Sequence, residues 1–294
     1  MSFREFMANV LSTRDYEEIH LKEIVIADIA EYLKEINAGV AREKGFSLIM
    51  LENGEDVFNG LEGVGGYSGI MIKSPHYIGL VTHREGPEAE FFGAYYMQSV
   101  VKKLYDMDLG SCWINIRSIP GDLKSKLLGN QAGNINYLLA LGLIDEKAVK
   151  QKIPHTTVTN TAASYKQDPY GTKANEAAAS DKARHSLGEI VYLHEWGRKA
   201  AYEELESRGM ADLFFYVRNA PSYKNLQPCR LILKDGEVLL TVVNSEDEGS
   251  YIDAGIMMFT LEGLAKDLGI PGKWQFVRDE SGNREYRIVA KIEL

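Results

Sequence analysis

The spacing of apolar residues along the chain predicts several long helices. From Tyr16 to Ala38, apolar residues recur every three or four positions with charged residues between them, which is the pattern of an amphipathic helix. The same criterion predicts helices from Glu88 to Met107, from Lys199 to Arg218 and from Asp253 to Leu268. Pro87 stands directly before the second of these, at a position where proline favours a helix start.

Short apolar runs between these helices predict strands. The order helix, strand, strand, helix, Leu-Gly-x, strand occurs in both halves of the chain and indicates an internal repeat. We therefore expect an α+β fold with two similar halves, each a mainly antiparallel sheet flanked by helices. The predicted strands are Phe46–Leu51, Ile70–Ile72, Tyr77–Val81, Arg230–Leu233, Val238–Val243, Trp274–Val277 and Tyr286–Ile292, the last two joined by a turn at Ser281-Gly282-Asn283.

Charge and composition exclude several classes of partner. The 294 residues carry a net charge of -9, which disfavours nucleic acid and anionic membranes, because both require a basic surface. No apolar run approaches the roughly 20 residues of a membrane span, and the N-terminal residues lack the apolar core of a secretory signal. Two cysteines cannot form a disulfide framework, so a reducing cytoplasm is the expected location.

The familiar motifs of acid–base, nucleophilic and metal catalysis are missing from the sequence. HExxH, paired CxxC, Walker A, GxGxxG and GxSxG patterns do not occur, and the histidines show no ligand spacing. Tyr67 and Ser68, in a glycine-rich segment, could approach a planar ligand, but a plain turn is favoured there. We therefore expect no metal site and no side chain that performs chemistry by itself.

The stretch from Asn219 to Cys229, NAPSYKNLQPC, predicts a rigid polar loop before a buried strand. Its prolines restrict the backbone, and Ser222 and Asn225 are residues that form local hydrogen bonds in turns. An ordinary connector is one interpretation. The whole string, however, resembles the flavin-contacting loop of the FMN-dependent nitroreductase family, APSxxNxQPW, and departs from it at Cys229, where the family has tryptophan. The resemblance implies that Pro221, Ser222, Asn225 and Gln227 contact the flavin.

Two further segments resemble motifs of the same family. Ser12 and Arg14 match part of the opening pattern RRSxRxF, whose residues hold the FMN phosphate, although Val10 and Leu11 stand where the family has arginines. The alternative is ordinary helix-start chemistry, with Ser12 or Thr13 as the N-cap of the first long helix and Gly39 as its C-cap. The second segment, Asp108 to Ile114, is similar to GLGTCWIG. This match implies backbone contacts with the flavin ring from Leu109, Gly110 and Ser111.

A basic pair, Lys182 and Arg184, precedes the sequence LGEIV as in the family segment that closes on the FMN phosphate. The alternative interpretation is that Lys182 and Arg184 are ordinary solvent-exposed cations. The polar stretch from Gln151 to Ser180, which leads to this pair, is expected to be either a functional or a mobile loop.

Together these matches identify the chain as similar to fused nitroreductases, in which one chain forms a pseudo-dimer. We expect a first half over residues 1–185, including a connecting segment, and a second half over residues 186–294. The phosphate motif occurs only in the first half and the NxQP loop only in the second. We therefore expect one FMN per chain, held where the halves meet.

The resemblance implies electron transfer from NAD(P)H through FMN to a nitroaromatic, a quinone or a similar small electrophile. The expected state is a monomer by internal pseudo-dimerisation, with further pairing of chains left open. Two alternatives remain, a flavin-binding store or sensor without turnover and an interaction protein that has lost flavin.

Overall fold

The computed structural model describes most of the chain. The described residues are 2–66, 69–84, 86–129, 133–148, 184–243, 249–270, 272–279, 283 and 285–293. Lys182, the stretch from Gln151 to Ser180, the Tyr67-Ser68 pair and most of the Ser281–Asn283 turn therefore lie outside the described residues.

The N-terminal segment differs from the expected single long helix. A short helix, α1, spans Phe3–Asn9, and the first long helix, α2, spans Glu23–Ile36, so its predicted start at Tyr16 is wrong. Tyr16 instead packs against the first sheet, where its buried hydroxyl donates to the Ala140 carbonyl at 3.2 Å. This tertiary contact prevails over the helical periodicity of the segment. Ser12 and Thr13 are consequently not N-caps of α2.

The end of the first long helix also lies later than the sequence indicates. The chain continues beyond α2 through a π-helical turn at Asn37–Ala41 and a final helical turn, α3, at Arg42–Lys44. Gly39 lies inside this stretch with φ -97° and is not the C-cap. The left-handed terminating position is Gly45, with φ +79°, where a Cβ would meet the Arg84 side chain at 2.6 Å.

The first half forms a four-stranded antiparallel sheet with the strand order β1-β2-β4-β3. The predicted strand at Ile70–Ile72 is wrong, and a helix, α4, that the sequence pattern does not indicate lies shortly before that position. The elements are β1 Phe46–Leu51, α4 Gly54–Leu61, β2 His76–Thr82, α5 Pro87–Asp106, β3 Gly110–Asn115, α6 Gly121–Leu128 and β4 Ile135–Gly142.

The second half forms a five-stranded sheet with the order β5-β6-β7-β9-β8, and its last four strands repeat the order of the first sheet. The short β5 pairs in parallel with β6, and the other described strand pairs of this sheet are antiparallel. The helix predicted from Lys199 to Arg218 is two helices, separated at Gly209, whose φ is +69°. The elements are α7 Leu187–Ile190, β5 Val191–Leu193, α8 Tyr202–Ser207, α9 Ala211–Val217, β6 Cys229–Lys234, β7 Glu237–Val243, α10 Ser250–Asp267, β8 Trp274–Phe276 and β9 Tyr286–Glu293.

The two halves share one hydrophobic core, because α5 packs closely against α10. At the closest approach a Cβ on Gly255 would lie 2.1 Å from the Phe91 carbonyl oxygen, so only glycine fits there. Further along the same contact, the Tyr95 hydroxyl donates to Glu262 at 3.0 Å. The helix pair thus joins the two sheets into one unit and fixes the position of each half relative to the other.

Candidate functional site

The loop between α9 and β6 has an unusual backbone. It contains a single 3₁₀ turn at Tyr223–Asn225, and three of its residues that are not glycine lie in the left-handed region. Their φ angles are +48° at Lys224, +59° at Asn225 and +49° at Gln227. Asparagine adopts this conformation readily, but lysine and glutamine do so only where surrounding contacts hold them. Such clusters occur at functional sites, where backbone geometry is maintained at some cost in stability.

Hydrogen bonds within the loop fix this shape. The Ser222 hydroxyl accepts the Gln227 amide N–H at 3.0 Å, and the Ser222 carbonyl accepts the Asn225 amide N–H at 3.1 Å. The side-chain amide of Gln227 is engaged at both ends. Its Nε2 donates to the Asn225 carbonyl at 3.2 Å, and its Oε1 accepts the His185 amide N–H at 2.9 Å. The Gln227 side chain therefore stabilises the loop, in addition to being a candidate contact for a ligand.

Arg184 holds the beginning of the same loop. Its two terminal nitrogens donate to the carbonyls of Ala220 at 2.7 Å and Asn219 at 3.2 Å, while its Nε has no hydrogen-bond partner among the described residues. Burial, and next the charge of Arg218, lower the pKa of this guanidinium. The structure thus places Arg184 with the NxQP loop, and its predicted contact with a phosphate stays a prediction.

Asp253, in the first turn of α10, anchors the middle of the loop. The side chain is 4% exposed, and its two oxygens accept the Tyr223 amide N–H at 3.0 and 3.2 Å. Burial raises the pKa of this carboxyl to about 7, against the opposing effects of the Tyr223 hydrogen bond and of Arg184. The sequence shows an aspartate at a helix start but gives no sign of its partner, which lies 30 residues earlier in the chain.

A small cavity lies between the loop and α10. Its volume is about 10 Å³, which is room for about one water molecule. Arg218, which sequence reasoning also misses, borders it and stacks its guanidinium 4.4 Å from the centre of the Phe215 ring. The other lining residues are Ile190, Ala220, Pro221, Ser222, Gln227, Pro228, Cys229, Asp253 and Met257.

The two cysteines are not nucleophiles in this structure. Cys229, at the position of the tryptophan in the family motif, is buried, and burial followed by the charge of Asp253 raises the pKa of its thiol. Burial also raises the pKa of Cys112, although the nearby Arg14 charge and hydrogen bonds from Arg14 and Ser12 act in the opposite direction. Both thiols are therefore protonated at neutral pH, and only a thiolate would react.

The second group of predicted residues comes together at the start of β3. Ser12 pairs with Ser111 in a parallel bridge, and the Thr13 amide N–H donates to the Ser111 carbonyl at 2.9 Å. A Cβ on Gly110 would lie 2.6 Å from the Thr13 hydroxyl oxygen, so the approach requires glycine. Ser12 and Arg14 thus lie beside Leu109-Gly110-Ser111 on an extended segment, and the helix start expected at Ser12 or Thr13 is wrong, since α2 begins only at Glu23.

The sequence comparison identifies the family. A family model described as "Putative TM nitroreductase" matches residues 3–179, which is more than half of the chain. The chain belongs to this nitroreductase family. A search of curated proteins found no match.

A solved structure confirms the nitroreductase fold. A "putative nitroreductase" from Thermotoga maritima MSB8 aligns over 100% of this chain and 94% of its own, with 16% identity and a TM-score of 0.56. A nitroreductase with bound FMN from Bacteroides fragilis NCTC 9343 covers 55% of this chain and 99% of its own, with 15% identity and a TM-score of 0.42. An FMN-dependent nitroreductase from Clostridium difficile R20291 covers 48% and 87%, with 17% identity and a TM-score of 0.38. The fold is that of two nitroreductase-like halves fused as a pseudo-dimer.

Within this nitroreductase fold, Asp108 has a simple explanation. The family motif has glycine at this position, and Asp108 has φ +57°, so the aspartate occupies a left-handed position that glycine would fill without strain. The departure from the motif therefore changes the residue and keeps a backbone that suits glycine.

The predicted site residues fall into two groups, each held together by the contacts above. The first consists of Ser12, Arg14, Leu109, Gly110 and Ser111; the second consists of Arg184, Pro221, Ser222, Asn225 and Gln227. That the two face each other across one flavin stays a prediction. In the described part of the chain, no cluster of three or more His, Cys, Asp or Glu could hold a metal ion, and none of the described helices combines the length and the apolar character of a membrane span.

Proposed function

We propose that the chain is an FMN-dependent oxidoreductase that passes electrons from NAD(P)H to a nitroaromatic, a quinone or a similar small electrophile. The observation that carries the proposal is the NxQP loop. Its polar groups are held on a left-handed backbone that the protein maintains with the buried carboxylate of Asp253 and the half-buried guanidinium of Arg184. A connector without a ligand needs no such support. Membership of the nitroreductase family and the flavin motifs of the sequence agree with this use of the loop.

The residues present fit a flavin, because they offer amide and hydroxyl groups to its ring and guanidinium and hydroxyl groups to its phosphate. The cavity behind the loop has room for about one water molecule and cannot accept a ring system. Pro221, Ser222, Asn225 and Gln227 would contact the ring, and Leu109, Gly110 and Ser111 would approach it with their backbone. Ser12, Arg14, Lys182 and Arg184 would hold the phosphate, where charge-assisted hydrogen bonds are about twice as strong as neutral ones.

The protein's own part in this function is to bind and orient. When bound, FMN supplies the hydride and electron chemistry, which needs no acid or base from the protein. The two cysteines, protonated and buried, offer no competing nucleophile.

We further propose that residues 1–185 and 186–294 are the functional halves, that the chain acts as a monomer by internal pseudo-dimerisation, and that it works in the cytoplasm.

A non-catalytic flavin store or sensor is the second candidate. It is favoured by Val10 and Leu11, which replace the arginines of the family's phosphate motif; Leu11 is 60% exposed and offers the phosphate no charge. An anaerobic titration with NADH and NADPH distinguishes the two functions. The flavin absorbance of an enzyme is bleached by the nicotinamide and returns with menadione or a nitroaromatic. If the flavin stays oxidised with both nicotinamides, the store or sensor is the function.

The amount of FMN released from the purified protein should equal one per chain. A complete site needs Ser12 and Arg14 from the first half and Asn225 and Gln227 from the second, and the sequence allows this pairing only once. Denaturing the protein and measuring flavin against protein concentration gives the ratio. A ratio near two contradicts the single site, and a ratio near zero, even after incubation with excess FMN, favours a flavin-free interaction protein.

Replacing Asn225 with alanine should weaken FMN binding. The change removes an amide that the proposal places at the flavin ring, and the loss of one partner of a buried polar group costs about 1–3 kcal/mol. The dissociation constant should therefore rise by about 5- to 150-fold. Flavin fluorescence quenching measures it. Lys224→Ala is the matched control, because Lys224 is an exposed neighbour with the same left-handed backbone. Equal affinities of Asn225→Ala and the wild type would refute the contact.

A further inference from the structure

The left-handed backbone of the loop needs an external support. Left-handed backbone is unfavourable for lysine and glutamine and less so for asparagine, and three such residues lie within four positions, at Lys224, Asn225 and Gln227. The hydrogen bonds that Ser222 accepts close the loop on itself, but they do not attach it to the rest of the protein. Other residues must fix where the loop lies.

Two charged side chains, the half-buried Arg184 and the buried Asp253, provide this attachment from different elements. Arg184, just before α7, binds the carbonyls of Asn219 and Ala220 at the start of the loop. Asp253, on α10, binds the amide of Tyr223, directly before the left-handed residues. Because α10 also packs against α5, Asp253 connects the loop to the helix pair that joins the two halves.

The charged and titratable groups around Asp253 come from three elements. Arg184 faces it from the segment before α7, Arg218 borders the same small cavity from the end of α9, and the Cys229 thiol faces it from the start of β6. A carboxylate in this position accepts a stronger hydrogen bond from the Tyr223 amide than a neutral carboxyl does. The strength of the hydrogen bond between the Tyr223 amide and Asp253 therefore depends on the protonation state of Asp253. Burial raises the pKa of this carboxyl to about 7.

We propose that Asp253 is a positioning residue of the flavin site, which holds the Tyr223 amide and thereby keeps the loop in its binding-competent shape. It acts through the loop and does not itself touch the flavin, so the proposal rests on the proposed function. It also explains why a buried acid is kept here at a cost in stability. Ionisation of Asp253 increases the fraction of molecules with the loop in place, and the apparent affinity for FMN follows that fraction.

Asp253→Asn tests the proposal, because the amide keeps the shape and one acceptor oxygen but cannot ionise. FMN affinity of the wild type should rise by about tenfold between about pH 6 and about pH 8, with a midpoint near the carboxyl pKa of about 7. In Asp253→Asn this rise should be absent, so the variant should match the wild type at about pH 6 and bind about tenfold more weakly at about pH 8; the second ionisation of the FMN phosphate, at about pH 6, affects both proteins equally. Asp212→Asn, on the exposed first turn of α9, is the matched control and should keep the wild-type profile. A titration that persists unchanged in Asp253→Asn overturns the proposal.

Hydrogen exchange separates this proposal from the proposed function, because it needs no flavin. In the flavin-free protein, Asp253→Ala should reduce the protection of the Tyr223 amide by at least about tenfold, while amides of β6 and β7 keep theirs. Asp253→Asn gives the same comparison, with a smaller loss, if the alanine variant does not fold. Unchanged protection of Tyr223 in both variants refutes the positioning role. A wild type that protects Tyr223 through Asp253 but binds no FMN refutes the proposed function alone.

Discussion

Gly255→Ala is expected to lower the free energy of unfolding by about 3 kcal/mol, the upper end of the usual cost of overpacking. The new Cβ would lie 2.1 Å from the Phe91 carbonyl oxygen and 2.9 Å from the Ala94 Cβ. Neither a backbone carbonyl nor the start of a side chain can move aside, so α5 and α10 must separate. Urea denaturation of the flavin-free proteins measures the difference, and a loss of FMN binding should accompany it.

Gly60→Ala is the matched control for this variant. Gly60 also lies in a helix, but the nearest atom to the methyl group that alanine would add, the Leu127 Cβ, is 3.5 Å away, which is an ordinary contact. Alanine is better than glycine inside a helix by about 0.5–1 kcal/mol, so this variant should be as stable as the wild type or slightly more. If Gly255→Ala behaves like Gly60→Ala, the close approach of the two helices is wrong.

Arg14→Gln should raise the dissociation constant for FMN by about 10- to 150-fold. A hydrogen bond to a charged group contributes about 1.5–3 kcal/mol, and about 1.4 kcal/mol corresponds to a factor of ten. The extended segment that carries Arg14 lies beside β3, where Ser12 pairs with Ser111. Fluorescence titration with FMN and with riboflavin measures the effect. Riboflavin lacks the phosphate, so its affinity should be equal in variant and wild type.

Arg42→Gln controls for the general loss of one positive charge, since Arg42 is an exposed arginine on α3. It should leave both affinities unchanged. An equal loss of FMN and riboflavin in Arg14→Gln would show that Arg14 supports the fold of the segment and does not hold the phosphate.

The strands are the part of the fold that the sequence predicts best. A short apolar run favours a strand, and β1 has the predicted bounds Phe46–Leu51. The predicted start of the first long helix is wrong because periodicity reports local preference. Tyr16 has the spacing of a helical residue, but its ring and hydroxyl are bound by β4, more than a hundred residues away.

The sequence predicts the parts of the candidate site that a side-chain pattern marks. It does not reveal the parts that depend on backbone conformation or on hydrogen bonds to the backbone. The NxQP spacing locates the loop, and Asn225 is a residue that accepts left-handed backbone. Lys224 and Gln227 give no such signal, although both have positive φ. Asp253 cannot be found from the sequence at all, because its partner is a peptide N–H, which every residue except proline possesses.

The packing of α5 on α10 within one chain changes how the interface between the two halves responds to dilution. In a two-chain enzyme the interface forms by mass action, so its occupancy falls as protomers become scarce. Here the partner helix is covalently attached, and its effective concentration is set by the connecting chain and not by how much protein is present. The interface then needs less intrinsic affinity, and each half can accumulate substitutions that would appear twice in a symmetric dimer. A chain of this kind can give up one of two equivalent sites without losing the other.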